Sequence, residues 1–242
     1  MPSAASDEVA VLLLADVAPA HLLWGWLNMV RGPRALKGTR SLRFAKVLGS
    51  GFDGGFGVRP SKSRQGLFAV FGDAAAADEF AENSAVVARY RARCSELCIV
   101  KLRAWSSRGS WDGCRLHAGA PAPAAGPIAA LTRASIALRK APAFWRYAPA
   151  AQSALDTAPG CQLAVGLGEA PLLRQATFTI WDSVSAMDAY ARSGAHQNAI
   201  QAAYGNQYFS ESLFARFVIL GLHGKWKGRM YPLAAKASDG LA

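Results

Sequence analysis

The chain is poor in several residue types, and each shortage removes a class of explanation. Acidic residues number 16 against 27 lysines and arginines, and there are four cysteines and four histidines in 242 residues. The cysteines Cys94, Cys98, Cys114 and Cys161 could form two pairs by parity, but a core of this size needs no disulfides. Cys94 and Cys98 stand four apart with no second pair, which is not zinc spacing. They read as reduced thiols of a cytoplasmic protein. No apolar run reaches the roughly 18 residues of a membrane-spanning helix. The N-terminus lacks a basic leader and carries Asp7, Glu8 and Asp16, so its short apolar stretch reads as a first strand rather than a signal peptide. Nucleotide-binding glycine motifs, HExxH and GxSxG are missing. So are zinc-finger, bZIP and RNP patterns, and nucleic acid is not an expected partner.

What is abundant is apolar surface. Hydrophobic residues make up 52% and charged residues 18%; typical globular values are about 45–50% and about 25%. The length suits one domain or two of about 100 to 120 residues. The net charge of +11 favours anionic partners, whether lipid or the carboxylates and phosphates of a cofactor. Its densest stretch is Arg31, Arg34, Lys37, Arg40, Arg43 and Lys46, spaced by three.

The chain also resembles itself. Residues 68–81 (FAVFGDAAAADEFA) match residues 178–191 (FTIWDSVSAMDAYA) at an offset of 110. Val47–Gly51 matches Ala164–Gly168 at 117, and Gly109–Gly113 matches Gly224–Gly228 at 115. Hydrophobic periodicity predicts strands at Val9–Val17, Ser41–Gly49, Leu67–Phe71 and Glu96–Ala104, with helices at Pro19–Val30 and Ala74–Arg93. The second half repeats the order: strands Ile128–Leu138, Gln162–Leu167, Gln175–Trp181 and Leu213–Leu222, helices Ala143–Leu155 and Val184–Tyr204. Each half is β-α-β-β-α-β, the ferredoxin-like pattern. The expected fold class is α+β: tandem ferredoxin-like halves, 1–118 and 128–228, joined by the Pro/Gly/Ala-rich linker 119–127 and followed by a tail 229–242. Packed together they give a pseudo-twofold dimeric α+β barrel with a cavity.

Few residues are candidates for chemistry. The glycine-rich run Gly49–Gly57 has no helix after it and reads as a hairpin or a lid. His21 reads as a surface or capping residue, His117 as solvated, and His223 as part of the turn Gly221–Gly224. His196 lies opposite the core face of its helix, beside Ala189, Ile200 and Ala203, and Gly194 is placed to break the helix just before it. A helix N-terminus keeps imidazole neutral, as a metal ligand must be. The other reading is a partly exposed helix histidine. Trp24, Trp26, Phe144, Trp145, Tyr147, Phe178 and Trp181 are dense where a cavity would be lined, though core packing also explains most of them. Arg133 interrupts an apolar strand and points either to an anionic partner such as a carboxylate or to an exposed edge.

Several segments carry a family resemblance. They are Leu23-Trp24, Lys46–Gly51 with Gly55-Phe56, Trp111–Gly113, Pro127–Ala134, Phe144-Trp145, Val165–Pro171, Gln175–Trp181 through Ser193–His196, and Phe214–Phe217. Spread over residues 20 to 228, they resemble the spheroidene monooxygenase family of carotenoid biosynthesis. The resemblance implies a haem-dependent monooxygenase that puts oxygen on an allylic carbon of an acyclic carotenoid, with molecular oxygen as co-substrate. It implies His196 as axial haem ligand (the metal site), Arg133 as a propionate partner with Lys46 and Arg192 as weaker ones, and Phe144, Trp145 and Trp181 as pocket lining. The segment Val58–Arg64 lacks an expected aromatic, and the sequence around Ala137–Lys140 departs from the family pattern; both bear on substrate specificity.

The expected cofactor is haem b. The expected partners are an apolar small-molecule substrate and an external electron-donor protein, since no flavin or nicotinamide motif is present. A cytoplasmic place, with attraction to the inner membrane face, fits the charge, and self-association is left open. Other readings are a haem enzyme of the same fold doing dehydration, peroxidation or nitrogen oxidation, and a non-catalytic binder of an apolar ligand.

Overall fold

Val9–Val17 is apolar at nearly every position, which is the pattern of a strand buried on both faces. The computed structural model shows where those faces go. It describes residues 7–55, 57, 59–145, 154–155, 157–170, 173–192, 194 and 208–231, without the Phe144 side chain. In chain order the first half runs β1 (Val9–Val17), α1 (Leu22–Ala35), β2 (Leu42–Gly51), β3 (Pro60–Phe71), α2 (Ala74–Asn83), α3 (Ala85–Arg91) and β4 (Cys94–Gly109). The second runs β5 (Ile128–Ile136), α4 (Ala141–Trp145), β6 (Cys161–Ala170), β7 (Arg174–Trp181), α5 (Val184–Ala191), β8 (Phe209–Trp226) and a short β9 (Arg229–Tyr231).

All ladders are antiparallel. The order is β4-β1-β3-β2-β6-β7-β5-β8, closed by pairing of β4 with β8, with β9 added to β8. Each half contributes the ferredoxin-like order 4-1-3-2, so the two halves form one closed α+β barrel. The halves meet along the long β4–β8 ladder and a short junction, Gly49↔Gly168 and Ser50↔Leu167. Closure leaves β1 to β8 with no free edge.

Alternation then divides the apolar residues into three bodies. Leu12, Leu14, Phe68, Val100, Leu131, Val165, Phe178 and Phe217 fill the barrel interior. Val11, Leu13, Leu67, Phe71 and Ile99 pack under α1, α2 and α3. Ile128, Trp181 and Met187 form a smaller cluster on the outer face of the second half. Cys98 is inside the barrel while Cys94 packs on the helix side, so the sheet separates the two thiols; none of the four cysteines is in a disulfide.

Several boundaries differ from the sequence reading, each for a local reason. The helix expected over Ala74–Arg93 is two helices. Ser84 is extended and accepts from the Val87 N–H at 3.1 Å, so it ends one helix and caps the next. Asp73 and Ser183, at the repeat offset of 110, cap α2 and α5 in the same way. Ladder partners extend β3, β4 and β8 beyond their alternating cores. His223 lies in β8 opposite Ile99, not in a turn. His21 ends a 3-10 turn and makes no capping bond. The glycine-rich run does form the β2–β3 hairpin, with a 3-10 turn at Phe52–Gly54. The β2/β6 match also shifts by two residues. Leu67 pairs with Val47 and Thr177 with Gly166, so Val47 corresponds to Gly166 rather than to Ala164.

Candidate functional site

The predicted site residues fall on two sides of one sheet. On β5, Ala129 and Leu131 face the barrel interior while Ile128 and Ala130 face outward. Arg133 therefore points inward and Thr132 outward.

Arg133 is 1% exposed. The exposed-edge reading is overturned. Its Nη1 donates to Glu211 at 2.6 Å, and its Nη2 donates to Glu169 at 3.0 Å and Asp112 at 3.5 Å. Its guanidinium also lies over the Trp111 ring, 5.5 Å from the centroid. Lys46 joins the cluster through Asp112 and, at 3.0 Å, Glu169. Burial lowers the Lys46 pKa, but its two carboxylate partners outweigh that and the net shift is upward. With Arg174 at 3.8 Å from Glu169, three cations face three carboxylates. The carboxylates expected for Arg133 are thus the chain's own.

This cluster seals one mouth of the barrel. Trp111 stacks on Phe68 with centroids 5.5 Å apart and donates its indole N–H to Glu169 at 2.7 Å. It begins a tight turn in which Asp112 and Gly113 both have positive φ. Glu211 accepts from the backbone N–H groups of Asp112 and Gly113 and from the Ser110 hydroxyl. Burial pushes the Glu211 carboxyl up, these donors and Arg133 pull it down, and the result is about 2.

The outer face of the second half is different. Ladder partners equate Val11, Leu13, Val47 and Leu67 of the first half with Ala130, Thr132, Gly166 and Thr177 of the second. Four bulky aliphatic side chains become two threonines, an alanine and a glycine. The face that the first sheet fills with large aliphatic side chains is, in the second, a floor of smaller ones. Trp181 stands at its edge, fully buried, donating to Thr179 at 2.9 Å and packed 5.2 Å from Tyr190. Arg216 lies on β8 directly opposite Ala130. It pairs at 3.1 Å with Asp188, which also holds Arg192 at 3.1 Å. Arg216 was not among the predicted residues. Strand alternation in Phe214–Phe217 is the signal that would have found it.

Arg192 is exposed at the end of α5, beside an open depression of about 540 Å³. Arg192 is linked to the outer face only through Asp188 and Arg216, Trp181 lies on that face, and Arg133 and Lys46 are set apart inside the barrel. Trp145 is partly buried on α4. Trp26 is exposed and Phe178 is inside the barrel, so neither belongs to the outer floor. His196, Tyr147 and the Phe144 side chain lie outside the described residues. The chain up to His196 is nonetheless informative: α5 stops at Ala191, and Gly194 has φ +48°. The predicted helix through Tyr204 is interrupted where the sequence placed a break.

No protein-family model matches the chain. Two crystal structures of aldoxime dehydratases, one in complex with butyraldoxime, share its fold with TM-scores of 0.58 and 0.56 at 12% identity. The matches cover 90% and 88% of this chain and 81% of each of those. Spheroidene monooxygenase of Rubrivivax gelatinosus is 59% identical over 227 residues, 94% of this chain and 88% of that protein. The enzyme of the same name from Rhodobacter capsulatus is 36% identical over 91% of this chain and 92% of its own length. Identity of that extent, on an α+β barrel with one specialised half, establishes that this chain belongs to the spheroidene monooxygenase family and is a monooxygenase.

Proposed function

We propose that the chain is a haem b monooxygenase that inserts oxygen into an acyclic, carotenoid-like hydrocarbon. The observation that carries the haem reading is the replacement of Val11, Leu13, Val47 and Leu67 by Ala130, Thr132, Gly166 and Thr177 at equivalent ladder positions. A floor of smaller side chains admits a flat macrocycle against the sheet, where the two leucines and two valines of the first half would hold it off. The names of the relatives support the substrate class.

His196 would hold the iron, and Gly194 supports a chain break that lets a new segment present it. When bound, haem supplies the oxygen and one-electron chemistry that no side chain provides. Trp181 and Tyr190 exclude water along one edge. Arg216 and Arg192, positioned through Asp188, offer positive charge to propionates, in place of the buried and committed Arg133. Monooxygenation places one oxygen atom in a substrate C–H bond and releases the other as water. The two electrons come from an external donor protein and the two protons from solvent.

The test is an absorption spectrum of the purified protein reconstituted with haem. A Soret band that His196→Ala shifts or abolishes, with conversion of an acyclic carotenoid by the wild type, supports the reading. No Soret absorbance after haem supplementation overturns it. Turnover of an aldoxime, and not of the carotenoid, would instead favour the dehydratase-like chemistry suggested by the structural neighbours.

A further inference from the structure

Helix α1 is apolar on both sides. Gly25 and Gly32 are buried and Met29 approaches Gly49, so this side packs on β2 and β3. The opposite side should be polar on a surface helix. Instead Leu23, Trp26, Leu27 and Val30 form a stripe at i, i+3, i+4 and i+7, with Leu23 74%, Trp26 55% and Val30 73% exposed. Half of the large exposed hydrophobic residues of the described chain sit on these two turns. The end of the helix and the turn after it are basic: Arg31 and Arg34 in α1 and Lys37 and Arg40 beyond it are all exposed, and Arg34 continues the apolar stripe at its C-terminal end.

We propose that this outer face of α1 docks the protein on an anionic phospholipid bilayer. Leucine, valine and tryptophan side chains would enter the headgroup boundary, and the arginines and lysine would meet the lipid phosphates. Each part fits that surface. A tryptophan within an apolar stripe that ends in basic residues suits the membrane–water interface. Basic side chains beside it supply electrostatic attraction of about 1 kcal/mol each near an anionic leaflet. The contact proposed is peripheral, made by one face of a surface helix; no helix among the described residues is long and apolar enough to cross a bilayer. A second copy is a poorer occupant. Apposing two such faces would bury Arg31 and Arg34 at the end of the stripe, and interface cores are depleted in charge.

The inference needs neither haem nor the carotenoid reading, so the two stand or fall separately. It is tested by sedimenting the protein with vesicles of phosphatidylcholine and phosphatidylglycerol in equal parts, and with pure phosphatidylcholine. The wild type should bind the anionic vesicles and shift its tryptophan emission to the blue, and Trp26→Phe should lose that shift. The double variant Arg31→Gln/Arg34→Gln should bind about thirtyfold more weakly at low salt. Leu23→Gln/Val30→Gln should also bind more weakly, with an unchanged circular dichroism spectrum and melting curve, because all four positions are exposed. The proposal is overturned if wild type stays in the supernatant, or if both double variants bind as well as wild type. A concentration-dependent dimer that Leu23→Gln/Val30→Gln dissociates would assign the face to a second copy and overturn it too.

Discussion

Glu211 and Glu96 stand 115 residues apart and perform the same act in opposite directions. Glu211, at the start of β8, accepts the backbone N–H groups of Asp112 and Gly113 in the turn after β4. Glu96, at the start of β4, accepts those of Lys227 and Gly228 in the turn after β8, at 2.7 and 2.9 Å. Each half therefore clasps the turn of the other, and each turn delivers a buried tryptophan, Trp111 or Trp226, to the barrel interior.

Glu211 makes acid stability measurable. Its carboxyl has an ordinary value near 4.5 and is held at about 2 in the fold; burial opposes this shift, and hydrogen bonds from Gly113, Ser110, Asp112 and Arg133 overcome it. A depressed native value contributes stability that is complete above the unfolded value and is lost as pH falls from about 4.5 toward about 2. Urea melts in that window should show a smaller pH slope for Glu211→Gln than for wild type. An identical slope would remove Glu211 as the source.

Among the described residues Arg133 is the one buried cation, and it faces carboxylates from three segments. Arg133→Met should cost about 3–5 kcal/mol in denaturant unfolding at neutral pH, because Glu211, Glu169 and Asp112 lose their buried partner. Arg133→Lys keeps the charge but lacks the planar fork whose two terminal nitrogens reach Glu211 and Glu169 separately, and should recover only part of the loss. Neither change should remove a Soret band directly, since Arg133 faces away from the outer floor.

Gly109 and Gly224 are another pair 115 apart, with φ +89° and +103°. A Cβ at either would collide with a backbone carbonyl, that of Ser212 or of Leu97. Ala at either position should destabilise by at least about 1–3 kcal/mol, and to a similar degree, in thermal or urea unfolding. A large asymmetry would mean that the two clasps are not equivalent.

The outer floor can be filled. Gly166→Val with Thr177→Leu restores the first-half residues in the second half. The expected outcome is a folded protein, with an unchanged circular dichroism spectrum, that takes up haem at least about tenfold more weakly, a ratio corresponding to about 1.4 kcal/mol. Full haem uptake would place the cofactor elsewhere.

Much of this architecture was readable in advance. The repeated FAVFGDAAAADEFA and FTIWDSVSAMDAYA segments carry a strand, a helix-capping side chain and a buried helix face, all set by local spacing, so the β-α-β-β-α-β halves follow from periodicity and caps alone. The β2/β6 register did not follow, because a two-residue slip keeps every side chain on its own face and leaves the alternation unchanged. Arg133 shows the limit for sites. Its position on an apolar strand left a carboxylate partner and an exposed edge as equal readings, because its partners come from 21, 36 and 78 residues away in sequence and no local pattern encodes that meeting. The outer floor was equally hidden. Alanine, threonine and glycine are unremarkable on single strands, and they become one patch of smaller side chains only when β5, β6 and β7 lie side by side. The sequence by itself determined the repeated unit and its charge, since both are local or additive properties. Which face each side chain joins across the closed barrel was decided only by tertiary pairing.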